Sequence, residues 1–152
     1  MKFRFRIIVF SLLLIWFLGI FFQYFIKLDD RLLFLYPIIN KSYSLVCHQN
    51  DNKLISFSGI HSLICARCTG IYAGLLAASF VSLFINFKSP VRLKLFVLLS
   101  LPMLADVILY SFGIYNYSKT IAFVTGILFG SVGFSYFYTS IKELFAEIHI
   151  RK

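Results

Sequence analysis

The sequence predicts an all-α membrane protein: four transmembrane helices, with a long exoplasmic loop between the first and the second. Composition is the first observation behind this. Hydrophobic residues make up 60% and charged residues 14% of the 152, whereas a soluble domain has about half and about a quarter. The second is distribution, because the charges gather between four apolar runs, each close to the ~20 residues needed to cross a hydrocarbon core. No shift in composition divides the chain, so residues 1–152 read as a single domain.

The first span is expected at about 7–26, after the basic start Met1–Arg6 (MKFRFR). A cleaved signal peptide would need a shorter apolar core and small residues at a cleavage site. The chain instead reads GIFFQY over Gly19–Tyr24, which favours a retained helix. Loop 27–68 follows. Pro37 interrupts its apolar stretches, and Lys41, Ser42 and Ser44 keep Ile38–Val46 from spanning, which predicts a short interfacial helix leading into Cys47. A polar turn is expected at Gln49–Lys53, and irregular chain or a tight reversal around Gly59 within Ser56–His61. The remaining spans are expected at about 69–87, 95–112 and 120–138, with a charged tail over 141–152.

Orientation follows from the excess of basic residues on the cytoplasmic side of membrane proteins. Lys2, Arg4, Arg6, Lys88, Arg92, Lys94, Lys142, Arg151 and Lys152 fall on one side; Lys27, Arg31, Lys41, Lys53, Arg67 and Lys119 are spread over the longer segments of the other. Both termini are therefore expected in the cytoplasm of a bacterial inner membrane. The net charge of +9 does not point to nucleic acid, because the bases sit at helix ends and form no stripe interleaved with exposed aromatics. Nineteen Phe and nine Tyr suit lipid contact and interfacial belts. The expected partner is the lipid bilayer, with no nucleic acid; a membrane-protein partner or a homo-oligomer stays open.

Chemistry concentrates in Cys47–Gly74, which holds all three cysteines (Cys47, Cys65, Cys68) and two of the three histidines (His48, His61). Cys65-Ala-Arg-Cys68 places two sulfurs on one side of a turn, the spacing of half a tetrahedral zinc site. Cys47 with His48 or His61 would complete it, with Gln49 or Asp51 holding the histidine from behind. The same pair can be a redox couple, since a helix starting just after Cys68 and the neighbouring Arg67 would lower a thiol pKa. A plain disulfide is the third reading, though three cysteines leave one over. Covalent haem would need histidine where Thr69 stands.

Asp106 is the one carboxylate inside a predicted span. Such groups are costly in lipid and are usually paired; Arg67, Lys119 or a bound metal lies near enough in the predicted topology. The small-residue patterns at Gly70 and Gly74, and at Gly126, Gly130 and Gly133, predict close helix packing. Tyr72, Tyr110 and Tyr115 are candidate hydrogen-bonding residues near the same face.

Cys47-His48-Gln49, Ser56-Phe57 and Cys65-Ala-Arg67-Cys68-Thr-Gly70-Ile-Tyr72-Ala-Gly74 resemble the bacterial membrane-protein family catalogued as domain of unknown function 2085. Pro102, Asp106, Thr125-Gly126 and Gly130 resemble its later signatures. The family favours arginine where Ile55 and Ala122 stand, glycine at Val107 and glutamine at Tyr110. The resemblance implies a topology and a site location but no activity. Three functions remain in view: a Cys/His metal site, zinc first, of structural or metal-handling use; a thiol oxidoreductase or redox sensor using Cys65 and Cys68; and a transport or assembly subunit with a polar cavity around Asp106.

Overall fold

The computed structural model describes residues 3–27, 29–57, 59–85, 93–114 and 116–150, with side chains at all of these except 30, 57 and 142–150. Of the residues used above, Lys2, Lys88, Arg92, Tyr115, Arg151 and Lys152 lie outside them, as does the side chain of Lys142.

Four helices are long and apolar enough to cross a membrane, within Phe3–Ile20, Ala66–Phe84, Leu93–Ser111 and Lys119–Ile141. They belong to α1 (Phe3–Gly19), α4 (Ala66–Phe84), α5 (Leu93–Ser111) and α6 (Lys119–Ile150). Between α1 and α4 the chain forms α2 (Phe22–Ile26), a 3-10 turn (Asp30–Leu35), α3 (Tyr36–Ser44), a second 3-10 turn (Asp51–Lys53) and strands β1 (Leu54–Phe57) and β2 (Ile60–Cys65). The protein is thus mostly helical, with four candidate spans and a structured loop between the first and second.

The tight reversal expected around Gly59 is present, and two local expectations are corrected. The chain around it is not irregular: Leu54–Phe57 and Ile60–Cys65 form an antiparallel hairpin in which Leu54 faces Cys65 and Ser56 faces His61, with Gly59 in the turn. Its apolar residues do not alternate, because Leu63 and Ile64 are both buried, and so period two is absent. The first helix also does not run unbroken to residue 26. Tyr43 of α3 donates its hydroxyl to the Trp16 carbonyl at 2.5 Å, and the Ile20 carbonyl accepts the Leu63 N–H of β2 at 3.0 Å. These distant partners take carbonyls at the end of α1, which otherwise lack intrahelical donors. A side chain at Gly19 would collide with the Tyr43 hydroxyl.

The tightest helix pair is α4 with α6. Gly70 and Gly74 rest on the α6 backbone at Phe123 and Ile127, while Gly126 and Gly130 rest on the α4 backbone at Arg67 and Ile71. Added side chains would meet backbone there, so the stripe lets two helices approach where lipid supplies no hydrophobic drive for association. Gly133 instead faces the Phe96 ring of α5. Outward-facing Leu, Ile and Phe are numerous on the spans, as expected where the surrounding solvent is hydrocarbon. The larger buried cluster forms at one end of the bundle: Ile20, Tyr43, Cys47, Leu63 and Ile64, with Trp16, Cys65, Cys68 and Tyr72 packed on it.

Candidate metal centre

The cysteines reach that cluster from two pieces of backbone. Cys47 follows α3, its N–H bonded to the Tyr43 carbonyl at 3.0 Å. Cys65 ends β2 and is the N-cap residue of α4; Cys68 lies in the first turn of α4. The three Sγ atoms all lie within 4.8 Å of one another. Three thiolates on a tetrahedral zinc, each bonded at ~2.3 Å, would be ~3.8 Å apart, a spacing inside that bound. Three clustered cysteines of this kind can hold a metal.

Backbone donors point at the sulfurs. The Cys65 N–H donates to Cys47 Sγ at 3.3 Å, and the Gln49 N–H is directed to the same sulfur. Gln49 carries a positive φ of 48°, a region uncommon for a residue with a side chain. That turn aims its backbone at Cys47, while its side-chain amide donates to Asn40 Oδ1 at 3.0 Å and the Leu63 carbonyl at 2.8 Å. The thiols of Cys65 and then Cys68, followed by these backbone donors, hold the Cys47 thiol well below its ordinary range, against the opposing effect of burial. The Cys65 thiol is raised, chiefly by its hydrogen bond with Cys47. Negative charge therefore settles first on Cys47, outside the C-x-x-C pair.

Neither histidine joins the cluster. His48 is exposed beside Cys47; His61 is exposed on β2 and lines a separate polar cavity of about 260 Å³ with Asp51, Gln49 and Asn40. Arg67, second residue of α4, forms an ion pair with Asp106 of α5, whose side chain is 2% exposed. This puts Asp106 against Arg67 at the cysteine end, where the Thr125–Gly126 step of α6 also meets α4.

Sequence reasoning missed Lys53 and Tyr117. Lys53 Nζ stands 4.3 Å from the Tyr110 ring centre and 5.4 Å from that of Tyr117, and the Arg67 guanidinium is 5.9 Å from Tyr117. The Tyr117 ring thus meets two cations. Burial, then the charge of Cys65, raises its hydroxyl to about 12, with Arg67 opposing and Asp106 adding to the rise. No motif flags this residue; only the topology, which returns the α5–α6 connection to the cysteine end, puts it there. Tyr72, a candidate from sequence, is packed against the cysteine cluster, with its ring 6.1 Å from Trp16.

No solved structure matches the chain. An uncharacterised protein of Methanocaldococcus jannaschii is 30% identical over 135 residues, covering 84% of this chain and 86% of the relative. Another uncharacterised protein, from Methanothermobacter thermautotrophicus, is 27% identical over 107 residues, covering 70% of this chain and 96% of the relative. The predicted membrane protein family DUF2085 matches residues 47–136. That match opens on Cys47 and takes in the other two cysteines, the Arg67–Asp106 pair and the glycine stripe, and the chain belongs to this family.

Proposed function

We propose that this integral membrane protein binds one transition-metal ion, zinc first, through Cys47, Cys65 and Cys68, at the exoplasmic end of a single membrane domain with both termini in the cytoplasm. The observation that carries the reading is the convergence of the Cys47 sulfur with the two sulfurs of the Cys65–Cys68 turn, 18 residues on in sequence, with N–H donors directed at them. Such donors stabilise thiolates, which are the form that binds metal. A disulfide would use two of the three. Ligation would also shield thiols from oxidation in an exoplasmic compartment.

Both imidazoles stand outside the cluster, which favours three thiolates with a fourth position filled from outside over a closed Cys3His set that includes His48. An open position suits metal handling or exchange better than a structural role. The test is metal content after anaerobic purification. One ion per chain is expected in the wild type, with a similar large loss in Cys47→Ser, Cys65→Ser and Cys68→Ser and little change in His48→Ala. Wild-type protein without stoichiometric metal sinks the proposal.

The second reading is thiol–disulfide exchange with an external disulfide. It is favoured by the lowered Cys47 thiol and would make Cys47 the attacking sulfur, with Cys65 or Cys68 resolving the mixed disulfide. Fast alkylation of Cys47 in metal-free protein, followed by reversible disulfide formation, would support it. A transport role around Asp106 has least support, since that carboxylate is engaged by Arg67.

A further inference from the structure

A polar cavity of about 260 Å³ opens beside the sulfur cluster, walled by α2, α3 and the β1–β2 hairpin. Most of its hydrogen-bond donors are spent within the protein. Both side-chain hydrogens of Gln49 are engaged, on Asn40 Oδ1 and on the Leu63 carbonyl. The Ser62 hydroxyl donates to the Ile64 carbonyl at 2.7 Å, and Gln23 Nε2 donates to the Tyr36 hydroxyl at 3.2 Å. What the lining residues have left to give is mainly lone pairs: the side-chain oxygens of Gln23 and Gln49, the Asp51 carboxylate and the His61 imidazole. Neutral donors remain on Gln23, Tyr36 and Asn40.

Charge points the same way. Asp51 carries the one full charge among the described residues that line the cavity, and none of them is a lysine or an arginine. The ammonium group of nearby Lys53 is turned to the Tyr110 and Tyr117 rings. A cation is therefore the occupant that this lining complements. Imidazole beside oxygen donors suits zinc, copper or nickel, whereas calcium and magnesium take oxygen alone. A water occupies ~30 Å³ in the liquid, so there is room for an ion that keeps several of its own. Asp51 and His61 are the exposed members of the lining. On its inner side the cavity adjoins the sulfurs: Leu63 is buried in the cysteine cluster, and the Gln49 N–H is directed to Cys47.

From this we infer that the cavity is a second, weaker metal site, in which His61 and Asp51 capture a hydrated divalent transition-metal ion from the aqueous side on its way to the three cysteines. The onward step rests on the reading of those cysteines as metal ligands; the capture does not. In that step the ion leaves imidazole and carboxylate and bonds the sulfurs, whose remaining protons go to solvent. No electron moves.

The chain has three histidines, so isotope labelling of their rings gives a short spectrum in which His61 is read by itself. The full chain is held in detergent micelles, with Cys47, Cys65 and Cys68 replaced together by Ser so that no thiolate competes, and zinc chloride is the probe. Zinc should shift the His61 signals, saturate at one ion per chain and leave the other two histidines in place. In calorimetric titration His61→Ala should abolish that binding. Asp51→Asn should weaken it by ~10–100-fold, the usual loss when a supporting group at a metal site is removed. If the Ser variant does not fold, the wild type serves: zinc added beyond what the sulfurs hold should give the same His61 shift. A silent His61, or equal shifts at all three histidines, overturns the capture site. For the onward step, metal-free wild type and His61→Ala, cysteines intact, are followed as they take up zinc. The variant should load several-fold more slowly to the same final content, and equal rates overturn that step. Wild type that keeps no zinc on its sulfurs while His61 still responds overturns the cysteine reading and upholds the capture site.

Discussion

Helix α4 meets a buried or half-buried arginine at each end, one its own and one from α1. Near its N-terminus, Arg67 pairs with the Asp106 carboxylate of α5. At its C-terminal end, Arg6 of α1 donates to the Ser82 carbonyl at 2.9 Å and lies 5.8 Å from the Tyr138 ring centre. The helix dipole explains the contrast. Free N–H groups make a helix start partly positive, so a cation there needs a formal negative charge nearby. Free carbonyls make a helix end partly negative, which favours a cation there. At the helix start the backbone field opposes the cation and the Asp106 carboxylate offsets it; at the helix end the Ser82 carbonyl adds to a field that already favours Arg6.

Substitutions at the two ends can break or sharpen this contrast. The largest effect is expected from Asp106→Leu, which strands Arg67 in a largely buried site beside a helix start. Removing one partner of such a pair costs ~3–5 kcal/mol, read as a lowered midpoint of unfolding in mixed detergent. Arg67→Met combined with Asp106→Leu should recover most of that loss. A double variant as weak as the single one would show that the pair contributes more than mutual neutralisation. Ser82 cannot lose its backbone carbonyl, so Arg6→Lys is the gentler test: it keeps the charge at the helix end and should cost less than Asp106→Leu, ~1–3 kcal/mol for the lost guanidinium hydrogen bond. A cost equal to that of Asp106→Leu would show that the helix-end field contributes little. Lys53→Gln is the smallest, ~0.5–1 kcal/mol for a half-buried surface cation over aromatic rings. It should appear as faster amide exchange confined to β1 and β2, with the α4–α6 pair unchanged; faster exchange throughout α4 would mean that the hairpin supports the ion pair.

Much of this was legible because membrane spans follow from uninterrupted apolar length, and because a costly Asp106 in such a span implies a partner. Alternating topology alone put Cys68, Asp106 and Thr125 at one end. What escaped depends on contacts between distant residues. The break at Gly19–Ile20 sits in a run with no local stop signal and is made by Tyr43 and Leu63. The hairpin lacked alternation, since both faces of β2 find cover at Leu63 and Ile64. Which histidine, His48 or His61, could join the sulfurs was left open by the sequence, and both side chains are exposed, outside the three-sulfur cluster.

The Arg67–Asp106 pair also has a place in time. Its members are 39 residues apart in sequence, so at ~5–20 residues per second the ribosome delivers the carboxylate roughly two to eight seconds after the guanidinium. During that interval α4 must enter the bilayer with an unneutralised cation. An arginine at the second residue of a helix can wait with its head in the interfacial water, its stem lying along the apolar surface. The same residue two turns deeper would have no such refuge. The position of Arg67 at the rim thus suits the order of synthesis: the cation is parked at the membrane edge until the third span arrives to fix it.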